Sequence, residues 1–180
     1  MKLIRIKKIT DNYFNQAWEL YEAAFPFKER KSLENQIYVL EKDNYHFNII
    51  IEKNQFIGFI LWWNFESYRF IDHFATTVKQ RNKGKGKQIL NTFINTNNKP
   101  ILLEVELPIS NLNKRRIKFY EKAGFTLNNH YYEIPPLEKN QSPLQLLLMS
   151  HPNSISKKEV DLFIANYHTD IYKNYCNNHH

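Results

Sequence analysis

The segment from Ala75 to Lys87, ATTVKQRNKGKGK, limits what this chain can become more than any other. It opens as a strand and breaks at polar residues and two glycines. It then runs into Ile89, Leu90, Phe93 and Ile94 at helical spacing. Whatever fold the chain adopts must therefore deliver a strand into a helix through this loop. Both glycines permit positive φ and leave no Cβ to hold a ligand away from the backbone. A helix start has unpaired N–H groups and a partial positive charge, which together seat phosphate. Lys79, Arg81, Lys83, Lys85 and Lys87 add a cation at every second position. The segment reads as an anion site. It is not a nucleotide P-loop, which needs wider glycine spacing followed by Lys and Ser or Thr. Nor is it a dinucleotide fingerprint, which needs a third glycine where Ile89 stands.

Length and composition narrow the class. A chain of 180 residues suits one domain with a substantial core, and 42% hydrophobic with 15% aromatic residues marks it as globular. No apolar run approaches the roughly 20 residues that span a bilayer. Met1 to Lys8 alternates charged and aliphatic residues like a strand, without the apolar centre of a signal peptide. The single cysteine, Cys176, excludes an internal disulfide framework. A soluble cytoplasmic protein is expected, with no membrane partner. The net charge of +7 suits a solvated lysine surface or a nucleic-acid partner. The cations, however, gather at Lys79 to Lys87 and at Lys114, Arg115, Arg116 and Lys118. Such focusing favours a small molecule bearing several phosphates over nucleic acid.

In chain order, residues 2–8 read as a strand. Asp11 is placed to cap a helix in which Phe14, Ala17, Trp18, Tyr21, Ala24 and Phe25 recur at helical spacing, ended by Pro26. A second helix follows over about 32–42. Residues 45–52 and 56–63 form a hairpin, and a strand over about 70–78 feeds the loop. In the strand 100–107, Leu103, Val105 and Leu107 share one face and Glu104 and Glu106 the other. Asn111 to Ala123 makes a helix with Gly124 as its C-cap. Strands over 125–134 and 144–150 close the domain around a loop from Pro135 and Pro136 to Pro143. Ser156 and Glu159 form a capping box ahead of an apolar stripe of Val160, Phe163, Ile164, Tyr167 and Ile171. Residues 1–150 are thus expected to form the domain. Residues 151–180 add a helical extension packed on it or against a second subunit of a homodimer. Asn177 to His180 reads as a frayed end, and its two histidines have no partners to complete a metal site.

Two motifs now carry a family resemblance. Asn113-x-x-Arg116-x-x-Phe119-Tyr120-Glu121-Lys122-Ala123-Gly124-Phe125 resembles the second signature of the GNAT superfamily of acyl-CoA-dependent N-acyltransferases. Arg81-x-x-Gly84-x-Gly86 resembles that superfamily's pyrophosphate loop, and the likeness covers most of residues 1–150. Arg116 stands where the family usually has alanine, and is expected to reach towards phosphates or to salt-bridge locally. Leu103-Glu104-Val105 resembles a strand motif of the branch that acetylates protein N-termini, although the link to the next helix is longer here. The resemblance implies an α/β (α+β type) fold: a mixed, mostly antiparallel twisted sheet flanked by helices. Its two central strands, the one ending at Val78 and the one at 101–107, splay apart.

The resemblance also implies acetyl-CoA as co-substrate, no metal, and an acceptor site covered by the early helix-loop-helix. Backbone at Thr76 and Val78 would meet the pantetheine arm. The N–H groups of Arg81, Asn82, Lys83, Gly84, Lys85, Gly86 and Lys87 would hold the pyrophosphate, with Asn113 and Arg116 as further cofactor contacts. Tyr120 would be the general acid for the leaving thiolate, a tyrosine pKa near 10 suiting that transfer. Glu104 is the first candidate for general base, His73 the second and Asp72 the third. Strand alternation places Asp72 and His73 on opposite faces, so at most one faces the cleft. Each has a structural alternative: Tyr120 as a core aromatic, Glu104 paired with a lysine, His73 hydrogen-bonded in the core, with an ordered water as base. The reaction implied is transfer of an acetyl or short acyl group to a primary amine by direct attack. No serine or cysteine lies in a nucleophilic setting. The acidic residues Glu29, Glu66, Asp72, Glu104 and Glu106 suit a cationic amine, small or peptidic. Two other classes stay open. A non-catalytic acyl-CoA-binding regulatory protein would bind CoA and release no thiol. A nucleic-acid-binding module would show steeply salt-dependent affinity that CoA does not displace.

Overall fold

A computed structural model of the chain describes residues 1–136 and 142–172. The expected loop to Pro143 is thus described only at its two ends, and Cys176 and the expected frayed Asn177 to His180 lie outside the described residues. Seven strands form one sheet: β1 (Lys2–Ile6), β2 (Tyr45–Glu52), β3 (Gln55–Asn64), β4 (Arg69–Thr76), β5 (Ile101–Glu106), β6 (Thr126–Ile134) and β7 (Leu144–His151). Their order across the sheet is β1-β2-β3-β4-β5-β7-β6. Five helices accompany them: α1 (Phe14–Ala24), α2 (Leu33–Leu40), α3 (Lys85–Ile94), α4 (Asn111–Glu121) and α5 (Lys157–Tyr172). Every neighbouring pair of strands is antiparallel except β4 and β5. This is the mixed, mostly antiparallel α/β sheet that the motifs implied.

The apolar runs Ile49 to Ile51 in β2 and Ile57 to Leu61 in β3 are buried because helices cover both sides of the sheet. Phe47, Ile49, Ile51, Phe59 and Leu61 join a core with residues of α1, α2 and α5. Ile50, Ile57, Ile60 and Ile71 join a second core with α3 and α4. Side chains alternate between faces along a strand, so a strand buried on both sides must be apolar throughout.

The terminal helix starts at the expected capping box. Glu159 Oε2 accepts from the Ser156 amide at 2.7 Å, and the Glu159 amide donates back to Ser156 Oγ. Val160, Phe163 and Ile171 then enter the larger core, and α5 packs along β6. Asp11 departs from expectation. Its Oδ2 accepts from the amides of Lys7 and Lys8 at 2.8 and 3.0 Å, closing the turn after β1. Helix α1 begins instead behind Tyr13, at φ 69°, with no side-chain cap. A short acidic side chain takes the nearest free N–H groups, and those lay behind it.

Two features of β4 position the site. Its parallel pairing with β5 extends only over Arg69–Ile101, Phe70–Leu102 and Ile71–Leu103, after which both strands continue without each other. A β-bulge against β3 follows at once: Trp62 pairs with Ile71 and Leu61 with His73, so Asp72 is the extra residue. Below the parting point, the buried Arg69 donates to the carbonyls of Phe93, Ile94, Asn97 and Lys99 and to Thr96 Oγ1. The guanidinium therefore ties the end of α3 and the lead into β5 to the base of β4. On the other side Gly58 lets β3 close onto β4, since a Cβ there would stand 2.4 Å from the Ala75 carbonyl oxygen. Arg69→Met keeps the aliphatic stem but strips the donor from four carbonyls. Stability should fall by about 3 kcal/mol or more, read as a lower urea midpoint at unchanged m-value.

Candidate active site

Where β4 and β5 part, a cleft of about 260 Å³ opens. Asp72 to Thr76 form one wall and Leu103 to Glu106 the other, and Arg81, Arg116 and Tyr120 also line it. Ala24, Phe25, Glu29 and Lys31, from the end of α1 and the link to α2, border it too, as does Tyr172.

The loop expected to hold an anion leads into the start of α3. Gly84 is its N-cap, at φ 72° and without a side-chain cap, so the first-turn N–H groups of Lys85, Gly86 and Lys87 have no capping acceptor. Of the two glycines that permit positive φ, Gly84 adopts it and Gly86 does not. Asn82, at φ 60°, is the second left-handed residue of the loop. Gly86 is helical, and a Cβ on it would meet the Phe119 ring of α4 at 3.4 Å. Its missing side chain brings the two helices together. Thr76 ends β4 on the cleft wall, Val78 lies exposed in the following 3-10 turn, and Lys83 and Lys87 are exposed. Lys85 is held to Glu52 at the end of β2 by a 2.7 Å ion pair, so its side chain anchors the loop.

Of the two expected cofactor contacts on α4, both side chains have local partners. Asn113 Nδ2 donates to the Leu107 carbonyl at 2.9 Å, tying the helix to the end of β5. Arg116 forms an ion pair with Glu106, the local alternative for this residue. Tyr120 reaches the cleft with only 8% of its surface exposed. Burial, opposed by Arg116 and reinforced by Glu106, pushes its hydroxyl up to about 12. That lies above the value near 10 expected from the residue type, so the hydroxyl stays protonated at any working pH.

Glu104 faces the cleft from β5. Burial raises its carboxyl to about 7, although the hydroxyls of Tyr132 and Tyr172 both donate to Oε1. The alternative of a lysine partner is thus replaced by two tyrosines. His168 Nε2 lies 2.7 Å from the Tyr132 oxygen.

The expectation that Asp72 and His73 oppose each other fails because of the bulge: both border the cleft. Asp72 Oδ2 receives Lys31 Nζ at 2.5 Å and Trp63 Nε1 at 3.3 Å. Burial alone would raise this carboxyl, but Lys31 and His73 more than reverse it and hold it well below the usual carboxylate range. His73 Nε2 stands 2.8 Å from the Glu29 carbonyl, which can only accept, so Nε2 carries the hydrogen. Nδ1 lies 3.0 Å from Asp72 Oδ1, within ion-pair range but off the line of a hydrogen bond. His73 therefore fastens the α1–α2 link to β4. Glu29, Asp72, Glu104 and Glu106 all reach the cleft, whereas Glu66 is exposed and lies outside it. Among the described residues, no three His, Cys, Asp or Glu side chains gather as a metal site, and no helix is long and apolar enough to cross a membrane. The sequence reading missed Lys31, Tyr132, His168 and Tyr172. The four-residue spacing of His168 and Tyr172 was visible, but the strand they would meet was not.

Residues 34–127 match the model of the acetyltransferase (GNAT) domain family. A GNAT-family protein from Bacteroides thetaiotaomicron, assigned as an acetyltransferase, superposes with a TM-score of 0.89 at 34% identity, covering 96% of this chain and 98% of that one. An aminoglycoside 6'-N-acetyltransferase complexed with coenzyme A superposes at 0.64 with 12% identity, over 87% of this chain and 99% of that one. The ribosomal-protein-S18-alanine N-acetyltransferase from Escherichia coli gives 0.57 at 16% identity, over 86% and 95%. No curated protein matches the sequence.

The Glu104 carboxyl provides a test that needs no substrate. Its folded value near 7 lies above the unfolded value near 4.5, so between those values the folded state holds a proton that the unfolded state has lost. The contribution of this carboxyl to stability should fall as pH rises through this window, by up to about 3 kcal/mol, against the opposite contributions of the His46 and His168 imidazoles, both held near 4 by burial. It should appear as the pH-dependent difference between the wild type and Glu104→Gln, as followed by urea unfolding at a series of pH values.

Proposed function

The chain belongs to the GNAT acetyltransferase family, and we propose that it moves an acetyl or short acyl group from acyl-CoA to a primary amine by direct attack. The observation that carries this reading is one cleft bordered by Tyr120, Glu104 and the unpaired edge of β4, and by Arg81, three residues ahead of the Gly84 helix start. The chemistry of that loop fits acyl-CoA. Uncapped N–H groups of α3 and the exposed Arg81, Lys83 and Lys87 suit a pyrophosphate. The free edge of β4 beyond Ile71 offers backbone groups to an amide-rich pantetheine arm. A structural relative complexed with coenzyme A supports the same donor. The thioester would supply the acyl group.

The chain's own residues divide the protons. As the amine nitrogen bonds to the carbonyl carbon and the C–S bond breaks, an ammonium acceptor gives up two protons in all. One leaves through Glu104 to solvent, and one ends on the sulfur, for which Tyr120 is the donor. With its hydroxyl near 12, Tyr120 has to deliver that proton as the C–S bond breaks. Backbone N–H groups on the β4 edge can polarise the carbonyl without reorganising. His73, with Nε2 held by the Glu29 carbonyl, serves as a support beneath the site.

The charge balance favours a cationic acceptor, small or peptidic. Asp72 and Glu106 are neutralised by Lys31 and Arg116, which leaves Glu29 and Glu104 to face the amine. A spermidine N-acetyltransferase from Vibrio cholerae shares the fold, which accords with this reading.

Acetyl-CoA should raise the melting temperature, and an amine panel scored by free-thiol release should reveal turnover. Tyr120→Phe should lower kcat by about 10²-fold or more while the acetyl-CoA-induced rise in melting temperature persists. Absence of any acetyl-CoA stabilisation would sink the proposal.

A further inference from the structure

The apolar stripe of α5 accounts for its place on the sheet, but not for the polar side chains on the adjoining face. His168 and Tyr172 stand one helical turn apart; Tyr172 lines the cleft, and His168 meets Tyr132. Tyr172 donates its hydroxyl to Glu104 Oε1. Tyr132, from β6, donates its only hydroxyl hydrogen to the same oxygen. The Tyr132 oxygen can then only accept from His168, which requires a hydrogen on His168 Nε2. Burial holds that imidazole near 4, neutral at physiological pH, so it acts as a plain donor. Both hydroxyls converge on Oε1, and Oε2 receives neither.

Resting on the acyl-transfer reading above, we propose that α5 is a positioning element of the reaction. Tyr172, together with the His168–Tyr132 pair, clamps Glu104 by one oxygen and reserves Oε2 to take the proton of the acceptor ammonium. In that step an N–H bond breaks, its electron pair remains on nitrogen as the attacking lone pair, and the proton forms the neutral Glu104 carboxylic acid. The acid returns the proton to solvent once product has left.

The clamp also tunes the base. The groups facing Glu104 are Tyr132 from β6, Tyr172 from α5, Asp72 from β4 and Lys31 from the link before α2, with His168 acting through Tyr132. Both hydroxyls favour the ionised carboxylate, against burial and Asp72. Loss of one hydroxyl should therefore make Glu104 harder to ionise, which distinguishes a positioning role from simple packing.

The test compares pH profiles of kcat/KM for the full chain, Tyr172→Phe, Tyr132→Phe and Glu104→Gln, using the amine identified by thiol release. In each Tyr→Phe variant the acid limb should move up by about one pH unit. That is roughly a tenfold loss on the acid side, with the alkaline plateau kept within about twofold. Glu104→Gln should lose the limb and most of the rate. Superimposable profiles, or a loss of equal size at every pH, would overturn the clamp. A ¹³C-carboxyl titration of Glu104, free of any acceptor, gives a second readout. Its midpoint should rise in both variants, and an unmoved midpoint would count against the proposal. A wild-type chain without turnover on any amine would refute the acyl-transfer reading while leaving this titration to judge the clamp. An inactive Tyr120→Phe beside unshifted profiles would do the reverse.

Discussion

The guanidinium of Arg69 carries more of this architecture than any apolar residue does. Two adjacent parallel strands that separate midway present an obvious difficulty. Each gives up half of its ladder, and nothing in the sheet itself says where the parting should occur. Arg69 supplies the answer by gathering the carbonyls at the end of α3 and the segment leading into β5, just below the last paired residues, Ile71 and Leu103. The guanidinium carbon also sits over the Phe93 ring, 4.8 Å from its centre. The strands are thus held firmly at one end and can diverge at the other. The extra residue at Asp72 comes directly after the last pair, so the bulge and the parting form one distortion.

That distortion determines the electrostatics of the cleft. Four carboxylates in one cleft of this size would repel each other if all stayed charged and unpaired. Two are neutralised locally: Asp72 by Lys31, and Glu106 by Arg116. The other two are shifted instead. Burial raises Glu29, with Glu106 adding to the effect, and burial raises Glu104. Each wall therefore carries one ion pair, Lys31 with Asp72 of β4 and Arg116 with Glu106 of β5, while the remaining carboxyls keep the freedom to exchange a proton. Arg116, unusual for the family motif, fits this division as the cation paired with Glu106.

What could be read from the residues alone was whatever is decided within a few positions. Gly124 at φ 90° closes α4, and Ser156 with Glu159 opens α5, because caps involve neighbours along the chain. The strands β2 and β3 and the helix after Gly84 were legible from periodicity for the same reason. The tyrosine helix and the glycine loop were legible as motifs. Their side-chain partners were not, as the pairing of Lys85 with Glu52 shows. Asp72 illustrates the limit, since one inserted residue reverses every facing argument built on alternation, and a bulge leaves no mark in composition. Glu104 was found from its motif, but its environment was not. Tyr132 and Tyr172 meet it from positions 28 and 68 residues further along the chain.

That last separation has a bearing on how the protein is made. By the time Glu104 has been synthesised, β1 to β4 and the loop at Gly84 already exist, and they can pair and collapse as the nascent chain lengthens. The floor of the cleft cannot close until the sixteen-residue helix α5 has emerged and docked its final turn, where Tyr172 sits. A nascent chain would thus form the loop at Gly84 early and the setting of the Glu104 carboxyl late. The fold withholds a competent cleft from an incomplete polypeptide.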